Sequence, residues 1–351
     1  MPTTPYLLVD AARMRLNIRR AAELARQAGV SLRPHVKTHK SPDIARIQLA
    51  AGATGITVAT IGEAEVFAAH GFDDIFIAYP VWIDAPRARR LADLVGRGVR
   101  LAVGVDSVEA AGQAGRMLGG AHLAALVEVD CGQHRSGVDP AGAGSVAAAA
   151  QRGGLEVRGV FTFPGHSYAP GVADRAAQEE SDALARAVGS LADEGITAAV
   201  VSGGSTPSLA HSDLSVLTEL RPGVYAFGDA QQWELGVMSP ERIALTCRTT
   251  VVSHAGGRLV LDAGSKILGA DRASYATGHG RLPAHPDARI VQLSEHHCVV
   301  DLAGSARPDL GTVVDVVPNH VCSAINLVDL LHLDDATGPA SWPVRARGHN
   351  S

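Results

Sequence analysis

Five short stretches of this chain carry residue types that can do chemistry. In RPHVKTHK, Arg33 to Lys40, Lys37 lies between His35 and His39. Partial desolvation beside imidazoles disfavours an ammonium, which prepares a neutral amine to form a Schiff base with an aldehyde cofactor. The competing account is a basic surface loop. SGGSTPS, Ser202 to Ser208, exposes backbone N–H groups at its glycines and adds the hydroxyls of Ser205 and Thr206, the make-up of a phosphate cradle or of an ordinary turn. EVDCGQHRSGV, Glu128 to Val138, offers Arg135 to a phenolic oxygen or a carboxylate, or else to a loop salt bridge, with Gln133 and His134 in support. PGHSY, Pro164 to Tyr168, offers His166 and Tyr168 as proton carriers or holders of ordered water, against a tyrosine bonded to backbone. In VPNHVC, His320 and Cys322 are two apart, so in extended backbone both face one side and can grip one ion. Imidazole plus thiolate suits Zn²⁺, although an isolated pair of this spacing is a weak signal.

These residues need elements to position them. β-Branched runs alternate with Ala-rich amphipathic stretches, and strands are expected at Ser31–Val36, Ile56–Thr60, Ile75–Tyr79, Leu101–Val105, Leu123–Asp130, Leu155–Phe163, Ala198–Ser202 and Leu220–Phe227. Asp10 caps a helix through Ala28 with Gly29 as its stop, and Ser41 with Pro42 opens another that closes near Gly52. Eight such units predict a closed barrel better than an open doubly wound sheet, and the reactive stretches fall at strand ends, where barrel active sites sit. After about Pro240 the texture becomes Val- and Thr-rich, as in TCRTTVVSHAGGRLVLDAG, with no long amphipathic helix. The expectation is an α/β chain: a (β/α)8 TIM-like barrel over residues 10–240, then a C-terminal β domain over 241–351, joined by a strand from residues 1–9. His296 and His297 read as packing or rim residues of that β domain.

The 351 residues are 46% hydrophobic and 19% charged with net charge −5, which suits a globular enzyme and leaves no basic excess for nucleic acid. No apolar run spans a bilayer and the N-terminal stretch lacks a signal-peptide pattern, so the expected location is the cytoplasm, away from membranes. Cys131, Cys247, Cys298 and Cys322 form no CxxC pair, and reduced thiols are expected.

TPYLLVD, RPHVKTHK, EVDCGQHRSGV, PGHSY, SGGSTPS, LRPGVYAFGD, LDAGSK and VPNHVCSAINL occur in the order they take in the D-serine dehydratase and D-threonine aldolase family. Over nearly its whole length the chain resembles this fold-type III pyridoxal-phosphate group, related to alanine racemase. The resemblance implies pyridoxal 5'-phosphate on Lys37, with Lys40 an exposed or structural neighbour. Placed late in a barrel, where phosphate sites recur, the SGGSTPS turn is the expected phosphate anchor through Ser205 and Thr206, assisted by the backbone around Gly223, Val224 and Tyr225, with Arg135 and Tyr168 as further cofactor contacts and Arg221 structural. Lys37, His166 and Tyr168 are the implied catalytic groups. His320 and Cys322 match the metal pair, for Zn first and Mn or Mg as alternatives, and the cysteine points to the D-serine dehydratase pattern over the His/Asp pattern of D-threonine aldolases. A homodimer is implied, and the family usually carries fewer histidines around His296 and His297. The implied reaction is elimination from a D-3-hydroxy amino acid to a 2-oxo acid and ammonia. The alternative is retro-aldol cleavage to glycine and an aldehyde; a third is racemisation, which needs a second base and no metal.

Overall fold

The computed structural model describes residues 2–351 apart from Gly119, Ala336, Thr337 and Pro339. Its chain divides into two units, one of residues 21–37, 45–223 and 349–351, the other of residues 1–20, 38–44 and 224–348.

In the first unit eight strands form one parallel sheet: Ser31–Leu32, Ile56–Val58, Asp74–Pro80, Arg100–Val105, Ala124–Glu128, Glu156–Phe161, Val200–Gly203 and Glu219–Leu220. Their spatial order runs from the first strand to the eighth and back down to the second. A parallel bridge between His35 and Thr57, with the Thr57 N–H donating to Pro34 O at 2.9 Å, links first to second and closes the ring. The expected barrel is what forms. Ala124–Glu128 is buried along its whole length, as strands covered on both faces must be.

Most strands are shorter than expected, and the two cut back furthest both stop just before a proline. The Ser31–Val36 run stops at Leu32 because Pro34 has no N–H for a ladder, and Val36–Thr38 coils into a 3₁₀ turn. The Leu220–Phe227 run stops at Leu220 before Pro222 and Gly223, with a second 3₁₀ turn at Val224–Ala226. Both turns fall where the sequence places cofactor contacts. Helix boundaries follow their caps: Asp10 Oδ1 accepts the Arg13 N–H at 2.9 Å to start Ala11–Ala28, and Gly29 ends it at φ +69°. Pro42–Ala50 likewise precedes Gly52.

Inside the barrel Phe76, Ala102, Ala124, Leu126 and Phe161 pack together, with the two phenyl rings edge-to-face at 5.0 Å. A polar chain runs beside them. Arg33 donates to Asp74 Oδ1 at 2.5 Å and to Glu219 Oε2 at 2.6 Å. Ser202 Oγ donates to Glu219 Oε1 at 2.7 Å, and Arg221 donates to Ser202 Oγ at 2.8 Å and to the Thr162 carbonyl. The Arg221 guanidinium also lies over the Phe76 and Phe161 rings. Its role is therefore structural.

In the second unit Tyr6–Asp10 pairs antiparallel with Leu245–Ser253 and parallel with Leu330–Asp334. Leu245–Ser253 also pairs with Leu259–Leu261 and Val313–Pro318, and its side chains alternate between buried and part-exposed as one covered face requires. Beyond the 3₁₀ turn at Pro240, the described α-helices here are Ser265–Leu268 and Val321–Ile325, both too short for an amphipathic face. His296 and His297 are exposed in the turn between Arg289–Leu293 and Cys298–Asp301, at the rim of the sheet. No helix among the described residues is long and apolar enough to cross a membrane.

Candidate active site

Lys37 sits in the turn that Pro34 imposes, and its side chain is part-exposed with Nζ 5.7 Å from the centre of the Phe163 ring. The Arg135 guanidinium lies 5.4 Å from the same ring, and Tyr168 stacks at a tilt with centroids 6.2 Å apart. Phe163 thus gathers three of the expected residues around one apolar plate, two of them cationic. Phe163 was not among the expected site residues; its one sequence signal is its place immediately before PGHSY.

His166 turns elsewhere. Its Nε2 is 2.8 Å from Glu179 Oε2 on helix Ala173–Asp193, while its Nδ1 is buried without a hydrogen-bond partner. His134, with φ +54° and a largely exposed ring, pairs with Asp130 at 2.7 Å. Gln133 packs its amide against Gly165, where a Cβ would stand 2.7 Å from Gln133 Cδ.

The SGGSTPS turn is buried from Ser202 to Ser208, and Gly204 takes φ +85°, a left-handed conformation that glycine adopts freely. Its donors are engaged within the protein. Gly204 N–H donates to Glu180 Oε1 at 2.6 Å, Ser205 N–H to Ser208 Oγ at 3.1 Å, and the Ser205 hydroxyl is 2.8 Å from Ser167 Oγ. A phosphate fits here by replacing the Ser208 hydroxyl at Ser205, and an anion is the stronger acceptor. Thr206 is buried in the same turn. Burial pushes the Glu180 carboxyl up to about 7, against the pull of the Gly204 N–H and Arg221. An amine at Lys37, a guanidinium at Arg135, an apolar plate and this hydroxyl-rich turn are a donor set that fits pyridoxal phosphate. Of the other two expected phosphate residues, Gly223 is part-exposed and Tyr225 is buried in its 3₁₀ turn.

Around the expected metal pair the local backbone differs from expectation. Strand Val313–Pro318 ends before it; His320 is still extended, but it is the N-cap of helix Val321–Ile325, so Cys322 lies in the helix's first turn. The two side chains meet through cap geometry, and the Cys322 side chain hydrogen-bonds the His320 ring. His320 Nδ1 is 3.0 Å from Asp271 Oδ2, which also accepts the Ser323 hydroxyl at 2.6 Å. The hydrogen bond from His320 holds the Asp271 carboxyl at about 2, so Asp271 is ionised and only accepts, and Nδ1 carries the proton. The Cys322 sulfur, more than Asp271, holds the His320 ring far above its usual range, up to about 11. A divalent cation held by such ligands would displace the protons they carry.

Cys322 Sγ is also 3.4 Å from the hydroxyl of Thr38, the residue after Lys37 in the chain. The other three cysteines are buried, and burial pushes the Cys131 and Cys298 thiols up to about 12, which leaves Cys322 as the one suited to hold metal. Among the described residues no cluster of three or more His, Cys, Asp or Glu that could hold a metal forms. Imidazole, thiolate and a carboxylate behind the imidazole fit a divalent ion. Lys40 is not exposed: it is buried at φ +51° and donates to Asn326 Oδ1 at 2.9 Å, a structural role.

Comparison with known proteins places this geometry. The family described as "Alanine racemase, N-terminal domain" matches residues 9–231, and "Putative serine dehydratase domain" matches residues 244–333. The chain is 36% identical over 348 residues to D-threo-3-hydroxyaspartate dehydratase of Delftia sp. (strain HT23), covering 91% of each chain. It is 33% identical to D-threonine aldolase of Arthrobacter sp., covering 98% of this chain and 93% of that one. A solved D-threo-3-hydroxyaspartate dehydratase, a cysteine-to-alanine mutant in the metal-free form, superposes with a TM-score of 0.90 at 32% identity, covering 98% of this chain and 97% of that one. The chain therefore belongs to the D-serine dehydratase and D-threonine aldolase family, the pyridoxal-phosphate-dependent lyases of the alanine-racemase fold.

Proposed function

We propose that this protein is a lyase that eliminates water from a D-3-hydroxy amino acid, giving a 2-oxo acid and ammonia, with Lys37 holding pyridoxal phosphate and His320 and Cys322 holding Zn²⁺. The carrying observation is the imidazole–thiolate pair at His320 and Cys322, a donor set softer than the imidazole–carboxylate pattern associated with the aldolases. When bound, the cofactor supplies an electron sink at the substrate Cα and the metal a Lewis acid at the 3-hydroxyl.

The chain's own residues do the rest. Lys37 takes the Cα proton, and Arg135, exposed beside Phe163, binds a carboxylate or the cofactor's phenolic oxygen. Ser205, Thr206 and the backbone at Gly223 and Tyr225 hold the phosphate, and Tyr168 orders the substrate side of the ring. In this reading residues 10–240 carry the cofactor and 241–351 the metal pair, joined by a strand from 1–9; the two family matches, meeting between 231 and 244, support that division. A homodimer completes the reading on the strength of the resemblance, with Mn or Mg the alternatives to Zn and the cytoplasm the proposed location.

A second reading is aldol cleavage. The His166–Glu179 pair favours it, because an imidazole steadied at Nε2, with a buried Nδ1 that has no hydrogen-bond partner, can take the proton of a 3-hydroxyl. Incubating the purified protein with D-threo-3-hydroxyaspartate, D-serine and D-threonine, with and without chelator, separates the two. A 2-oxo acid with ammonia, lost on chelation and restored by zinc, is the expected result. Glycine with an aldehyde establishes cleavage instead, and chelator-insensitive racemisation overturns both.

A further inference from the structure

Asp271 lies 49 residues before His320 in sequence and reaches its ring from the far side of the sheet-end loop. The loop follows Leu259–Leu261, where Gly264 can bear no side chain because a Cβ would stand 2.4 Å from both the Ser294 and Glu295 carbonyl oxygens. Gly269 then turns it at φ +78°. The buried Asn319, next to His320, donates through Nδ2 to Gly278 O at 2.9 Å and to Asp271 O at 3.3 Å, fastening the loop backbone beside the histidine. Ser323, one turn along the same short helix, donates its hydroxyl to Asp271 Oδ2 at 2.6 Å. The carboxylate thus has its backbone pinned by Asn319 and one oxygen shared between Ser323 and the His320 ring.

An imidazole can present either nitrogen to a metal, and the hydrogen bond made by the other decides which. With Nδ1 committed to Asp271, Nε2 is the nitrogen left for an ion. Carboxylates placed in this way fix the tautomer and ring orientation and raise the basicity of the ligand.

We propose that Asp271, braced by Asn319 and Ser323, is a positioning residue that sets His320 to bind the divalent ion through Nε2. This rests on the reading of His320 and Cys322 as the metal pair. Asp271 itself does not ligate the metal; it acts through the histidine ring.

The test measures metal binding rather than turnover. Zinc affinity is read by competition with a chromophoric chelator, and the cobalt-substituted protein is followed by its thiolate-to-metal absorption, for wild type, D271A, D271N, S323A, H320A and C322A. D271A is expected to bind zinc about 10–100-fold more weakly, the usual loss when such a partner is removed. D271N, which keeps an acceptor for Nδ1–H, recovers part of that loss, and S323A gives a smaller one. The cobalt–thiolate band persists in D271A but shifts, because Cys322 still binds while the imidazole is misoriented. Should D271A fail to fold, D271N and S323A carry the test, since both preserve shape. Wild-type affinity and an unshifted band in D271N and S323A, with D271A folded and equally tight, overturn the inference while H320A and C322A remain impaired. If H320A and C322A bind as wild type does, the metal-pair reading itself fails, and the role of Asp271 with it.

Discussion

His166 shows what a residue's chemistry owes to one neighbour. Residue type alone makes it a candidate base, a ligand or a packing group; the 2.8 Å contact to Glu179 commits one nitrogen and leaves the buried Nδ1 without a hydrogen-bond partner. If that nitrogen handles a proton in turnover, His166→Asn lowers kcat by about 10²–10⁴-fold, the range for loss of a general acid or base. The visible absorbance of the bound cofactor should stay unchanged, since His166 is not among the groups placed at its phosphate or amine. A variant with wild-type kcat would make the imidazole a structural bridge to helix Ala173–Asp193. The same logic separates Cys322 from the other thiols: three are buried, and only the one at a helix start beside an imidazole can serve an ion.

Helix Ala173–Asp193 places two adjacent carboxylates on different tasks. Glu179 is half-exposed and faces His166, whereas Glu180, about 100° further round the helix, points inward and accepts the Gly204 N–H of the SGGSTPS turn. Burial raises the Glu180 pKa from 4.5 to about 7, so the folded protein binds this proton more tightly than the unfolded chain does. The group's contribution to stability is therefore fully present below 4.5 and is lost as pH rises through about 7. Glu180→Gln keeps an acceptor for Gly204 and has no proton to lose. The Tm of the variant relative to wild type should climb across that window and level off above it, as thermal melts over the range will read. A pH-independent difference would mean that Glu180 titrates normally.

At the scale of the whole molecule, the barrel is joined by an ion network that spans strands distant in sequence. Arg33, just past the first strand, bonds Asp74 on the third and Glu219 on the eighth, and Ser202 extends the chain to Arg221. Glu219 is buried and bridges Arg33 to Ser202, so Glu219→Ala leaves the Arg33 guanidinium with Asp74 as its one remaining carboxylate partner and Ser202 without its acceptor. Denaturant unfolding is expected to show a loss of about 3–5 kcal/mol, the range for breaking a buried pair, and a loss under about 1 kcal/mol would mean that water replaces the lost partner. The strand and helix rhythm, the change of texture near Pro240 and the reactive stretches at strand ends were legible because periodicity, caps and glycine stops are local signals. The ends of the first and eighth strands were misread from the same signals: Pro34 and Pro222 outweighed the hydrophobic runs around them. By itself the sequence determined the barrel, the family and the residues with reactive groups. Only the tertiary structure decided their partners: Phe163 for Lys37 and Arg135, Glu179 for His166, Asp271 for His320. The physical reason is that partnership depends on side-chain direction across loops far apart in the chain, and a contact spanning 49 residues leaves no periodic trace in either segment.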